Sequence, residues 1–430
     1  QPSPEPIRGM IVGGLDSPSV EAALAPHPEF ASRLRSAGVR YDLKTIWKRT
    51  PTSLEELSRN IEETKAVFRG RVEAAKIADE MTDWRFFMLH FQTLDSLLHR
   101  LWPFLGIDPS SRAPDAWVSK TQEAFVALDE CLGELLELAS RRSADAVVLS
   151  GHGFGELHAE ISLPELLWRN GLVAPATIGD RLVRQGRRWV GSVRRWTARG
   201  MRSGRGAGSL TRSFQAALPV NWRRSAAVAA HGAMAALVYL NTPERFGSGP
   251  LTTSEACDQA AADVIGALRD ARSPETDQPL FEDVYRVSER MDCDPLKRML
   301  ADVVGIPAAG FHVRHEFNSQ GRLLTKNPGL PATHRKQGVL MIDAPGAVVG
   351  QRTAAEMRDA APTVMRLLGL PAEPSMEGKP MTDMLGGSPV ESDASVSSAR
   401  VRRDATPSPH YRPVDQAEVE DRSRELGRLE

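Results

Sequence analysis

Asp95 and His99 stand four residues apart in "DSLLH". On a helix that spacing puts both side chains on one face, and a carboxylate beside an imidazole is a common pair for zinc or manganese. Read alone, D-x-x-x-H is first a capping aspartate and a packed histidine. His152 is a second candidate, in "SGHGFG" at the end of a β-branched run. The flanking glycines let the backbone bend and leave the imidazole beyond the strand end, where open α/β sheets bind their ligands. By itself this segment reads as a turn. The third is His334 in "PATHRKQGVLMI", in a loop before another predicted strand. Three candidate ligands beside three separate predicted strands weigh more than any one motif. His90, inside an apolar run, reads as a core histidine, and His158, His312 and His315 read as surface residues.

The elements that must position these residues follow from periodicity. "SLEELSRNIEETKAVFRGRVEAAKIADEM" (Ser53 to Met81) is a long amphipathic pattern that Ser53 and Glu56 open as a capping box. "WRFFMLHFQ" (Trp84 to Gln92) has the length and apolarity of a buried strand. "TQEAFVALDECLGELLELASRR" (Thr121 to Arg142) is a second amphipathic helix and runs straight into the strand "AVVLS". "SLPELLWRNGL" reads as a compact helix with Ser162 as its cap, Glu165 closing the box, Pro164 in the first turn and Gly171 at the end. "SAAVAAHGAMAALVYL" (Ser225 to Leu240) reads as a buried helix or a helix–strand pair. Alternating signals return at Val238 to Asn241 and at Gly338 to Gly346, and "AAPTVMRLLGLP" is a helix stopped by Gly369 and Pro371. Helix and strand alternate as they do in an α/β fold with a mostly parallel sheet between helices.

Bulk properties narrow the function classes. Of 430 residues, 41% are hydrophobic and 25% charged, enough to bury a sizeable core. A net charge of −1 gives no global field for nucleic acid or an anionic membrane. No apolar run is long enough to span a bilayer, so no integral membrane segment is expected. Cys131, Cys257 and Cys293 are widely spaced with no CxxC, which argues against a disulfide framework or a cysteine zinc site. With no signal-peptide pattern, a cytoplasmic location is expected. The chain opens on Gln1 and reads as processed or as a fragment.

An ordered string of motifs resembles the type I phosphodiesterase/nucleotide pyrophosphatase family of the alkaline phosphatase superfamily, especially its bacterial phosphohydrolase or phosphomutase type. "IRGMIVGGLDSPS" is similar to the family's glycine-rich segment ending in TPS, and "FMLHFQTLDSLLHRLWPFLG" to its strand followed by DxxxHxxW. "VVLSGHGFG" resembles VVSDHGFG, and "ISLPELLWRNGLV" resembles INxWLxxNGxL. "VYLNTPERFGSGPL", "ATHRKQGVLMIDAPG" and "MRDAAPTVMRLLGLPAEPSMEGKPM" continue the series in order. The resemblance implies an alkaline-phosphatase-like α/β core over 1–175 and 296–385, an inserted cap over 176–295, a disordered linker over 386–412 and a closing helix over 413–430.

The resemblance also implies hydrolysis of a small-molecule phosphate ester at two divalent metals, most often zinc, with manganese the alternative. A first metal would be held by Asp95, His99 and His334. The second site departs from the pattern: His152 is present, but Gly151 stands where the family has an aspartate, which makes a second metal doubtful. Glu156 and Asp16 are the nearest acidic residues in sequence to replace it. The nucleophile and the family's N-terminal aspartate are expected to precede Gln1, so no catalytic nucleophile is identified here. Arg181 to Arg212 holds ten arginines, no acidic residue, and Trp189 and Trp196 seven apart. That stretch reads first as a solvated face of the cap, and then as a guide for an anionic substrate or a rest on a membrane surface. It carries no RNA-binding module motif. Gly151 keeps a second function in play, that of a non-catalytic relative serving as a binding or scaffolding protein.

Overall fold

The computed structural model describes residues 9–14, 17, 19–43, 47–107, 113–174, 220–230, 234–290, 300–318, 321–326, 329–350 and 354–385. Arg181 to Arg212, Asp16, Cys293 and the segments 386–412 and 413–430 lie outside the described residues. In chain order the helices α1 to α5 are Val20–Leu24, Pro28–Ser36, Leu54–Met81, Thr93–Leu101 and Asp115–Arg141. Strands β1 (Ala146–Leu149), β2 (Gly153–Glu156) and β3 (Ala159–Ser162) then lead to α6 (Leu163–Arg169). Next come β4 (Ala227–Ala230), β5 (Ala236–Leu240), α7 (Pro243–Phe246), α8 (Ser254–Arg269), β6 (Phe281–Arg286) and α9 (Val287–Arg290). The chain continues through β7 (Val303–Pro307), β8 (Phe311–Arg314), β9 (Leu324–Lys326), β10 (Ala332–Arg335), β11 (Leu340–Asp343) and α10 (Ala360–Leu367). It divides into two compact units, Gln1–Phe154 with Lys336–Glu430, and Gly155–Arg335.

The first unit is built on α3 and α5. The Ser53 hydroxyl caps α3 by accepting from Glu56 N at 3.1 Å, as its sequence position predicts. The Glu56 carboxylate closes on Thr52 instead, accepting from its backbone N at 2.9 Å. Leu57 and Ile61 of α3 pack with Trp47, Leu97, Leu101 and Ala124, while Phe68 and Val72 meet Cys131. Ion pairs run along the exposed seam between the two helices: Lys120 sits 2.7 Å from Glu123 and 3.0 Å from Glu62, and Lys76 2.6 Å from Glu134. In the same unit β1 pairs antiparallel with β11, Leu149 opposite Leu340.

The second unit carries a four-stranded antiparallel sheet in the order β4-β5-β7-β6. Strand β5 alternates, with Ala236, Val238 and Leu240 fully or almost fully buried. Those side chains share one core with Ala260, Val264 and Leu268 of α8, while Leu237 and Tyr239 pack with a separate cluster around Val304. In a three-stranded sheet, β3 pairs parallel with β8 and antiparallel with β9. β10 pairs with β2.

The molecule is mixed α/β, as the sequence predicts, and among the described pairs with a defined register only β3 with β8 is parallel. Several elements differ from their sequence expectations. Trp84 to Gln92 is extended but is no strand, because no neighbour's ladder runs beside it among the described residues. Phe87 and Phe91 pack inward there, while Phe86 and Met88 are 57% and 77% exposed. His90 is therefore exposed rather than a core histidine. Within Ser225 to Leu240, Ala227–Ala230 and Ala236–Leu240 form the antiparallel pair β4 and β5, since burial on the sheet outweighs the helix propensity of their alanines. Ser162 does not cap α6 through its side chain. It ends a strand, and its hydroxyl donates to Glu316 O at 2.8 Å.

Candidate metal centre

Helix α4 places the first two candidates. Leu97 and Leu101 are fully buried one turn apart and fix the roll of the helix. Asp95 and His99 form a second pair of the same spacing, two residues earlier and so about 200° around the axis. The two leucines thus turn the carboxylate and the imidazole away from the core, and their side chains keep 25% and 20% exposure. His99 Nε2 lies 3.9 Å from Asp95 Oδ1. Gln92 Nε2 donates to the other carboxylate oxygen at 3.4 Å, which steadies the aspartate from the preceding turn.

His152 arrives from the turn between β1 and β2. That turn is anchored by Ser150, whose backbone N donates to Val339 O at 2.9 Å and whose hydroxyl accepts from Val339 N at 2.8 Å. The geometry puts His152 Nε2 3.6 Å from the same Asp95 Oδ1. His152 Nδ1 faces Gly153 O at 3.1 Å. In the tautomer protonated at Nδ1 that contact is a donated hydrogen bond, and Nε2 keeps its lone pair. Phe154 meets both rings edge-on, with centroids 4.9 Å from His99 and 5.4 Å from His152.

One carboxylate oxygen therefore serves two imidazole nitrogens at 3.6 and 3.9 Å. Donors about 2.0–2.1 Å from a tetrahedral zinc stand about 3.4 Å apart. From Asp95 to each imidazole the spacing is slightly wider than that and longer than a good hydrogen bond, so each carboxylate–imidazole pair is of a type and spacing that a divalent cation takes. The structure brings His99 and His152 each to within 4 Å of Asp95. Sequence reasoning had placed His152 at a separate second metal. Gly151 offers no side chain, and a Cβ built on it would meet only Met357 Cε, at 3.6 Å.

His334 lies on strand β10 of the other unit, half-buried, rather than in a loop before a strand. Glu156, weighed as a substitute acid, is exposed at the end of β2. Of the histidines read as surface residues, His158 is exposed. His312 is not: it is half-buried and faces the Thr333 hydroxyl at 3.3 Å. His315 sits 3.1 Å from Glu316. Sequence reasoning missed Phe154 and Gln92, although an aromatic residue inside "GHGFG" was a readable sign of a ring packed on the turn.

The profile of the type I phosphodiesterase/nucleotide pyrophosphatase family matches residues 28–338, more than half of the chain, and the chain belongs to that family. Both Ile7 to Ser19 and Met357 to Met381 fall outside the matched span. Among solved structures the chain is similar to murine ectonucleotide pyrophosphatase/phosphodiesterase 5, at 12% identity and a TM-score of 0.34. That alignment covers 78% of this chain and 64% of the other, so the chain spans less than two thirds of that neighbour's length. No curated protein matches it. No helix among the described residues is long and apolar enough to cross a membrane.

Proposed function

We propose that the chain is a metal-dependent phosphoric-ester hydrolase of the phosphodiesterase/nucleotide pyrophosphatase type, acting on a small-molecule phosphate ester. Asp95 and His99 hold the divalent cation, zinc first and manganese second, with His334 as the resemblance implies, and His152 offers a further imidazole beside the same carboxylate. The observation that carries this reading is the shared Asp95 Oδ1, within 3.6 and 3.9 Å of two imidazole nitrogens. When bound, the cation supplies Lewis acidity toward phosphoryl oxygens. The protein's own part is positional. Asp95 brings the anionic charge, and Gln92 holds its second oxygen. His99 and His152 ligate only when neutral, so metal affinity falls as they protonate at lower pH. Phe154 covers one side of both rings and limits solvent access there.

Gly151 removes a carboxylate that a second cation would need, so the site works with one cation and with reduced activity. A second reading rests on the same residue: the chain is a non-catalytic relative that keeps the cluster for binding. Hydrolysis of a nitrophenyl phosphodiester by the full chain, with zinc or manganese titrated in, separates the two. Metal-dependent turnover that disappears in His99→Ala, together with metal binding, supports the hydrolase. Turnover unchanged by His99→Ala would overturn it. Metal binding with no turnover selects the non-catalytic relative.

A further inference from the structure

Arg335 follows His334 directly and closes β10. Its guanidinium lies across the buried Gly155, where a Cβ would come within 2.9 Å of Cζ and 3.0 Å of Nη2. Only a glycine leaves that seat open. From it Nη2 donates to Glu156 O, and Nη1 to His334 O at 3.3 Å. One side chain thus holds two backbone carbonyls, that of His334 on β10 and that of Glu156 on β2. A planar fork can do this, and the point charge of a lysine cannot serve both with the same geometry. A half-buried cation that bonds backbone rather than a carboxylate is a costly way to join two short strands, which needs a reason beyond pairing.

We propose that Arg335, seated on Gly155, is a positioning residue for metal binding through His334: it ties the backbone of His334 to that of Glu156. The inference rests on the metal-binding reading above. Partners behind a metal ligand set its orientation, and losing one weakens affinity by about 10- to 100-fold.

The test uses the full chain and four proteins: the parent, Arg335→Gln, Arg335→Lys and Gly155→Ala. Each is titrated with zinc and with manganese by calorimetry, and each is melted without metal. The expected result is a 10- to 100-fold loss of affinity in Arg335→Gln and Gly155→Ala, with the metal-free melting temperature little changed and no recovery in Arg335→Lys. Affinity equal to the parent's in all three variants overturns the inference while leaving the metal site standing. A fall in metal-free melting temperature with affinity intact overturns it too, since the clasp would then be structural only. A parent that binds neither metal removes the metal-binding reading itself. Should Arg335→Gln fail to fold, Arg335→Lys and Gly155→Ala decide by the same criteria.

Discussion

Gly151 is the residue on which the chemistry turns, because its neighbour His152 shares Asp95 Oδ1 with His99 and nothing anionic stands beside it in the sequence. The position has room. The nearest atom to a Cβ there is Met357 Cε at 3.6 Å, an ordinary contact, and Met357 is itself 52% exposed and able to move. Gly151→Asp is therefore expected to fold as the parent does and to put a carboxylate next to an imidazole already in place. Its affinity for zinc should rise by about tenfold or more, or a second equivalent should bind. Calorimetric titration reads both quantities. Unchanged stoichiometry and affinity would show that the missing carboxylate is not what limits this site. The sequence made Asp95, His99 and His152 readable by type and spacing. It could not show that His152 Nε2 comes closer than His99 Nε2 to Asp95, since that distance depends on the Ser150–Val339 anchor, formed by residues 189 apart in the chain.

At the scale of elements, legibility followed length. Helices α3 and α5, with 28 and 27 residues, show their apolar stripe many times over, and the stripe is what they bury against each other. The short strands had no such repetition. Apolarity alone reads Trp84 to Gln92 as a strand, and the alanines read Ser225 to Leu240 as a helix or a helix–strand pair, whereas the partner across the ladder decided both. What ties the long helices at one end is polar. Asp79, near the end of α3, accepts at 2.8 Å from Arg142 Nε just past α5 and at 2.8 Å from Trp84 Nε1. Burial alone would raise the Asp79 carboxyl, but the bonds from Arg142 and Trp84 outweigh it and hold it below the usual value. A carboxylate with a lowered folded value adds stability that is fully present above the unfolded value, about 3.9. That stability disappears as pH falls through the folded value. Asp79→Asn should cost about 1 kcal/mol at pH 7, the modest figure reflecting an arginine that is 42% exposed. In urea unfolding from pH 7 down to pH 2, the gap between parent and variant should close below about pH 4. A gap that stays constant with pH would show that the carboxylate's charge is not what ties the helices.

At the scale of the whole molecule, the apolar cores respect the division of the chain. The largest cluster takes its buried members from Ala159 to Phe317, all within Gly155–Arg335. The clusters around Leu34, Leu57 and Phe68 draw on residues before Phe154. Leu268 sits at the centre of the former: it is fully exposure-free on α8, and its Cδ1 lies 3.2 Å from where a Cβ on Gly305 of β7 would be. Removing three carbons there leaves a cavity that the sheet and helix cannot close, for a loss of about 2–5 kcal/mol. Because these clusters share no side chain among the described residues, that loss should stay within its unit. Leu268→Ala is expected to speed hydrogen exchange in β5, β7 and α8 and to leave the amides of α3 and α5 as protected as before. Mass spectrometry of the exchanged peptides resolves these segments. Equal acceleration in α3 and α5 would mean that the two units open as one cooperative body, and the separate cores would then be a feature of packing without consequence for unfolding.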